Sequence, residues 1–189
     1  MVMKIIKFIL FTVGLLLVSS TLKGQDNDNP YKGVAFKDRI TIGGDLGLSF
    51  GSQLTYIRIA PVLGYMVSPK FTIGAGPSFQ YWEDRRFIPN LETTIYGGST
   101  FGRYFVIEQI FLQAEFEVLN LDEINYSIGS DFSNRGRVTI PVFFVGGGYS
   151  QKSAGGSGFF VSVMYDLIGD LNSPYPNDLV FRVGGFFAL

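Results

Sequence analysis

The sequence contains no cysteine and no histidine. Without cysteine there are no disulfides, no thiolate chemistry and no lipid-modified N-terminal cysteine. Without histidine the chain lacks the commonest general base and the commonest metal ligand. Charged residues make up only 16%, against about 25% in ordinary soluble domains. The formal net charge is -1, so the composition gives no reason to expect nucleic acid as a partner. We therefore expect no catalysis, no cofactor and no metal.

Glycine and aromatic residues are abundant instead. The 189 residues include 24 Gly, 19 Phe and 10 Tyr, and 47% of the chain is apolar. This length is typical of one domain. So much glycine disfavours helices, because glycine is among the weakest helix formers.

The first residues have the layout of a secretory signal peptide. Lys4 and Lys7 form a positive region, and the largely apolar run from Ile5 to Val18 is shorter than a spanning helix requires. We predict a cleavable signal peptide over residues 1–24, with cleavage after Gly24 or after Ser20, and an uncleaved membrane anchor as the alternative. Residues 25–37 are predicted to be a flexible lead-in.

From residue 38 onward, bulky apolar residues alternate with small or polar ones at period two, which predicts β-strands. Turn residues divide the pattern into eight segments, near Asp38–Phe50, Leu54–Val67, Lys70–Trp82, Thr93–Val106, Gln109–Asn120, Arg135–Tyr149, Gly158–Ile168 and Asp178–Leu189. Each is long enough to cross a bilayer at a tilt near 45°. In the sixth segment we assign Val138, Ile140, Val142 and Phe144 to the bulky face.

The two faces of the strands differ in a way that suggests which one lies inside. An eight-stranded barrel has a lumen just wide enough for side chains to fill, and small residues with a few long charged ones suit it better than rows of Phe and Ile. We therefore predict that lipid solvates the bulky face. Charged residues of the opposite face are predicted to form an interior salt-bridge network: Arg39, Asp45, Arg58, Arg103, Glu115, Glu117, Asp166 and Arg182.

Connection lengths set the predicted orientation. Outer-membrane barrels have short periplasmic turns and long external loops, so the connections near 69, 107 and 153 are assigned to the periplasm and those near 51, 87, 127 and 173 to the exterior. The predicted fold is all-β: an eight-stranded antiparallel up-and-down transmembrane β-barrel over residues 38–189, in the outer membrane of a Gram-negative bacterium.

Several segments resemble a known family. The stretches IGGDLGLSFG, VSPKFTIGAG, FLQAEFEVLN, FFVGGGYSQ and RVGGFFAL are similar to the small outer-membrane β-barrel proteins that include the OmpA transmembrane domain, OmpX and OmpW. The resemblance implies a C-terminal signal read by the barrel-assembly machinery, here Arg182, Gly184, Phe187 and Leu189. The family's usual last residue is aromatic, whereas this chain ends in leucine.

The expected function is that of a structural or adhesive protein, or of one that interacts through its external loops. The Gly146–Gly148 run lacks the Lys-Ser/Thr and the helix of a phosphate loop. Expected partners are outer-membrane lipid and lipopolysaccharide, and the sequence does not identify a loop partner. Two alternatives stay open: a secreted soluble barrel that binds an apolar ligand, and an accessory subunit of an outer-membrane transport or secretion complex.

Overall fold

The computed structural model describes residues 35–50, 54–85, 91–122, 136–153, 155–170, 172–175 and 179–188. The predicted signal peptide, residues 25–34 of the predicted lead-in and Leu189 lie outside the described residues. No helix in the described ranges is long and apolar enough to cross a membrane.

The described residues form a closed barrel of eight antiparallel strands in which each strand pairs with its neighbours in sequence and β8 pairs with β1. The strands are β1 (Ile40–Phe50), β2 (Leu54–Ser68), β3 (Phe71–Asp84), β4 (Leu91–Phe105), β5 (Ile110–Asp122), β6 (Arg137–Lys152), β7 (Gly158–Asp166) and β8 (Val180–Ala188). The predicted all-β, up-and-down architecture is confirmed.

The start of the first strand differs from the prediction. Residues Phe36–Arg39 form a single 3-10 turn, and β1 begins at Ile40 rather than at Asp38. The turn is held by a hydrogen bond from the Asp38 amide to the Ala35 carbonyl, at 3.1 Å. Local hydrogen bonding of this kind competes with the strand ladder, and the period-two pattern did not reveal it.

The two ends of the barrel have connections of different length. We call the end that carries 69–70, 106–109 and 153–157 the turn end, and the opposite end, with 51–53, 85–90, 123–136 and 167–179, the loop end.

The alternation places bulky apolar residues on the outside. Ile59, Leu63, Phe116, Phe181 and Phe187 are all exposed. Their strand neighbours Arg58, Glu115, Glu117 and Arg182 are buried.

The prediction for the sixth strand was wrong. Ile140, Val142 and Phe144 are buried, and Val138 packs against the same interior cluster. Phe144 is the cross-strand partner of Glu115 and therefore shares its inward direction. Both faces of β6 are apolar, because Pro141, Phe143 and Val145 occupy the outward positions. Alternation alone therefore could not orient this strand, and only the pairing with β5 settles it.

The lumen is also more apolar than expected. One buried cluster lies toward the loop end and consists of Ile95, Leu119, Leu121, Ile140, Val142, Phe144, Met164 and Tyr175. A second cluster, at the turn end, consists of Phe105, Phe111 and Phe160. Arg103 contacts rings of the second cluster, whereas Arg58 and Arg182 contact Tyr175 and Phe144 of the first. Together with their partners Asp45, Glu115 and Glu117, these three arginines form what we call the charged layer. Each end of the charged layer is thus covered by side chains that exclude water.

Candidate functional site: the interior charged layer

Arg58 on β2 is the centre of the first group of charged residues. Its Nε donates to Asp45 Oδ1 at 2.9 Å, and its Nη1 donates to Glu117 Oε1 at 3.2 Å. Arg58 is 1% exposed and Glu117 is fully buried. Ser78 Oγ donates to the same Glu117 oxygen at 2.7 Å. Ion pairs buried this deeply are tolerable because each charge has a partner and further hydrogen bonds.

Arg182 on β8 belongs to a second group. Its Nη1 lies 3.0 and 2.8 Å from the two carboxylate oxygens of Glu115. Gln113 donates to Glu115 at 2.8 Å and accepts from Arg103 Nε at 2.8 Å. A neutral amide therefore links Arg103 to the buried Glu115, and the four side chains join β4, β5 and β8 across the lumen.

Aromatic rings complete the environment of these guanidinium groups. The Arg103 guanidinium lies 4.2 Å from the ring centre of Phe111 and 4.4 Å from that of Phe160. The Arg182 guanidinium lies 4.5 Å from the ring centre of Phe144. Cation–π contacts of this geometry strengthen when water is excluded, so Phe144, which was predicted to face lipid, instead stabilises an interior cation, as do Phe111 and Phe160.

Two of the eight candidate residues lie apart from these groups. Arg39 is in the 3-10 turn before β1, where its Nη1 donates to the Tyr65 hydroxyl at 2.7 Å. Asp166 is buried at the end of β7, and its carboxylate accepts from the backbone amides of Ile168 and Gly169 at 2.9 and 3.2 Å. Asp166 therefore holds the chain where it leaves the strand, and its short side chain is used by backbone donors rather than by an arginine.

Sequence reasoning missed the residue that closes the loop end. Tyr175 belongs to the connection between β7 and β8, which was predicted to be an external loop, yet its side chain lies inside the barrel and is 5% exposed. Its hydroxyl accepts from Gln80 Nε2 at 2.6 Å and from Arg58 Nη1 at 2.9 Å. It also donates to Glu117 Oε2 at 3.1 Å. Strand periodicity carries no information about a loop side chain, so no signal in the sequence pointed to it.

No protein-family model matches the chain, and no curated protein matches it. Among solved structures, the chain is similar to the N-terminal β-barrel domain of Pseudomonas aeruginosa OprF. The TM-score is 0.47 at 11% sequence identity, covering 80% of this chain and 97% of that chain. A likeness of this degree carries no conclusion about function, and the fold described above rests on the strand pairing itself.

Of the four residues of the predicted assembly signal, the structure describes Arg182, Gly184 and Phe187. Arg182 is buried in the lumen, and Gly184 has its neighbours Phe160 and the Gly44 carbonyl at the inner side of the wall. Phe187 is exposed on the outer surface. Leu189 lies outside the described residues. The three described residues therefore lie on both faces of β8, and the assembly signal itself stays a prediction.

The polar groups of the charged layer mostly bind one another. Its carboxylates are occupied by arginine, amide and hydroxyl donors, and its arginines lie against carboxylates or rings. Within the described ranges, no group of three or more His, Cys, Asp or Glu residues is arranged to hold a metal ion. The arrangement ties the strands together across the lumen.

Proposed function

We propose that the protein is an integral outer-membrane β-barrel with a side-chain-filled lumen, and that it acts structurally, adhesively or through its external loops rather than as a catalyst. The observation that carries this proposal is the direction of the two faces. Exposed Phe, Ile, Leu and Val side chains surround the barrel, while buried ion pairs occupy its centre. A barrel in water would expose its polar face instead.

The distribution of tyrosines on the outer surface supports the same proposal. Tyr96 is exposed toward the loop end of β4, and Tyr104 is exposed toward its turn end. At ~3.3 Å per residue and a tilt near 40°, the two are roughly 20 Å apart along the barrel axis. Outer-membrane barrels have aromatic girdles at both edges of an apolar band about 25 Å tall. The axial separation of the two exposed tyrosines, roughly 20 Å, is close to that height and supports the membrane proposal.

Polar side chains lie beyond the girdle at the loop end. Arg137 pairs with Asp122 at 3.1 Å and donates to the Asn120 carbonyl at 2.7 Å. Arg85 pairs with Glu83 at 2.7 Å. Exposed ion pairs such as these two suit the headgroup region, where anionic lipopolysaccharide is the expected neighbour. We assign the loop end to the cell exterior because external loops of such barrels are the longer ones.

Fractionation with a heat-modifiability gel tests the proposal. We expect the protein in the outer-membrane fraction, soluble only with detergent, and migrating differently before and after boiling. A protein released without detergent would contradict the membrane assignment and favour the soluble barrel that binds an apolar ligand. Stable co-purification with other envelope proteins would favour the accessory-subunit alternative.

A further inference from the structure

Tyr175 occupies the loop end of the lumen as a bound ligand would. Its hydroxyl oxygen is bound by side chains of three strands: Arg58 on β2, Gln80 on β3 and Glu117 on β5. Its ring meets Phe144 edge-on, with 4.9 Å between ring centres. Trp82 packs against the same apolar cluster. The side chain is therefore surrounded by aromatic side chains around its ring and by polar side chains at its hydroxyl.

The described part of the loop that carries Tyr175 is held mainly by its own hydrogen bonds. The Ser173 amide donates to the Asp170 carbonyl at 2.9 Å, and the Asn172 amide donates to the Asp170 carboxylate at 2.9 Å. The Tyr175 amide donates to Ser173 Oγ at 3.2 Å. In residues 170 and 172–175, the hydrogen bonds to the barrel wall are those of the Tyr175 hydroxyl. Withdrawal of this one side chain would therefore break no other hydrogen bond between these residues and the wall.

The polar side chains at the Tyr175 hydroxyl have capacity that the tyrosine does not use. Arg58 Nη2 and Gln80 Oε1 are buried and have no hydrogen-bond partner within the described part of the chain. Each is attached to the same carbon as an atom that already donates to the Tyr175 hydroxyl, namely Arg58 Nη1 and Gln80 Nε2. The Tyr175 hydroxyl already makes three hydrogen bonds, so it cannot also bind Arg58 Nη2 and Gln80 Oε1.

Arg58 Nη2 as donor and Gln80 Oε1 as acceptor match a second hydroxyl on the ring carbon next to the phenol oxygen, whereas Trp82 Nε1, another buried donor without a partner in the described part of the chain, belongs to the aromatic surroundings of the ring. The second hydroxyl would accept from Arg58 Nη2 and donate to Gln80 Oε1. The ligand should be neutral, because the charged layer has its three arginines matched by three carboxylates: Arg58, Arg103 and Arg182 with Asp45, Glu115 and Glu117. A further buried negative charge would have no counter-ion and would be costly.

We propose that the loop end of the lumen is a binding site for a neutral aromatic ring with two adjacent hydroxyl groups, a catechol, and that Tyr175 fills this site in the closed barrel. The ring takes the place of the tyrosine ring, and its second hydroxyl satisfies the two unused polar atoms. In the wild-type protein the tyrosine must withdraw first, which lowers the apparent affinity by the fraction of molecules in the open state. The inference depends on the closed barrel and not on its proposed location.

The test uses purified Tyr175→Ala protein folded in detergent and the fluorescence of Trp82, the one tryptophan of the sequence. Catechol, phenol and salicylate are titrated separately. We expect saturable binding, with catechol at least tenfold tighter than phenol and salicylate weaker than both. We expect the wild type to bind catechol more weakly than the variant. Tyr165→Ala, which removes an exposed tyrosine from the outer face of β7 and keeps Tyr175, should bind catechol no more tightly than the wild type does.

A second variant tests how much the polar side chains, rather than the space left by the tyrosine, contribute to the preference for catechol. In Tyr175→Ala/Gln80→Leu, the preference for catechol over phenol should fall to about twofold or less. Equal affinities in the Tyr175→Ala protein, or no saturable binding in a sample that runs as a folded barrel on the gel, would overturn the proposal. Should Tyr175→Ala fold poorly, refolding yields with equal concentrations of catechol and phenol make the same comparison. A failure of catechol to raise the yield above that with phenol would then reject it.

Discussion

Removal of one partner from the Arg182–Glu115 pair gives the sharpest prediction about stability. Both side chains are 4% exposed, and Arg182 Nη1 lies 2.8 Å from the nearer Glu115 oxygen. Arg182→Met leaves that carboxylate buried, with Gln113 as its remaining side-chain donor. Stranding one charge of a buried pair costs ~3–5 kcal/mol, or roughly two to four powers of ten in the unfolding equilibrium. We expect a loss of this size.

The double variant Arg182→Met/Glu115→Leu should recover most of that loss, since no unpaired charge remains and the apolar side chains meet Phe144. The assay is urea unfolding of purified protein in lipid vesicles, followed by Trp82 fluorescence. Folding in vitro keeps the measurement separate from the proposed role of Arg182 in assembly. Comparison of the two single variants with the double variant yields the coupling energy directly.

The exposed pair Arg137–Asp122 is the matched control. Its side chains are 38% and 26% exposed, and exposed pairs contribute only about 0.2–1 kcal/mol. The same comparison of single and double variants on this pair should therefore give a small coupling energy. Two results would refute the claim that the interior pair is shielded from water and that each charge depends on the other. One is additive losses of unfolding free energy in the Arg182 and Glu115 variants, and the other is a loss in a single variant no larger than in the control pair.

Three further predictions concern the wall and the loop. Gly146→Ala should prevent or severely slow barrel closure in a gel-shift assay, because the new methyl group would lie 2.1 Å from the Val163 carbonyl oxygen. Gly98→Ala is the control and should fold normally, because the nearest atom to its methyl group would be 3.7 Å away. Phe116→Arg on the outer face should cost ~2–4 kcal/mol in bilayer unfolding, and Asn120→Arg near the loop end ~0–1 kcal/mol; equal costs would contradict the lipid assignment. Burial raises the pKa of Tyr175 well above its ordinary value of 10, so its contribution to stability is present below pH 10 and lost as the pH rises further. While the barrel is folded, the ultraviolet absorbance of phenolate near pH 10 should accordingly be the same in the wild type and in Tyr175→Phe.

Most of the barrel could be predicted from the sequence because one face of most strands is clearly bulkier. The β5 stretch from Leu112 to Val118 has charged or amide side chains at every second position, so its direction is unambiguous. The β6 stretch from Val138 to Phe144 is apolar on both faces, and its direction is fixed only by register against Glu115 and Glu117. Alternation within one strand contains no register information, which explains the error there.

Six of the eight residues predicted for the interior network do form the charged layer, but their bonds could not be predicted. Which arginine meets which carboxylate depends on strand stagger, and this stagger brings Arg58 of β2 to Glu117 of β5 across the lumen. The amide of Gln113 and the hydroxyl of Tyr175 link the charges, and neither position stands out in the sequence. Loop residues that enter a lumen follow no period, so only coordinates reveal them.

The central claim is that hydrocarbon surrounds the bulky face of the strands, and the absence of cysteine makes it directly measurable. Single cysteines at Leu112, Phe116 and Val163 can carry a nitroxide, and its collisions with oxygen and with a water-soluble nickel complex can be compared in vesicles. We expect high access to oxygen and low access to nickel at all three sites. High access to nickel at these sites, in protein that runs as a folded barrel, would contradict the claim.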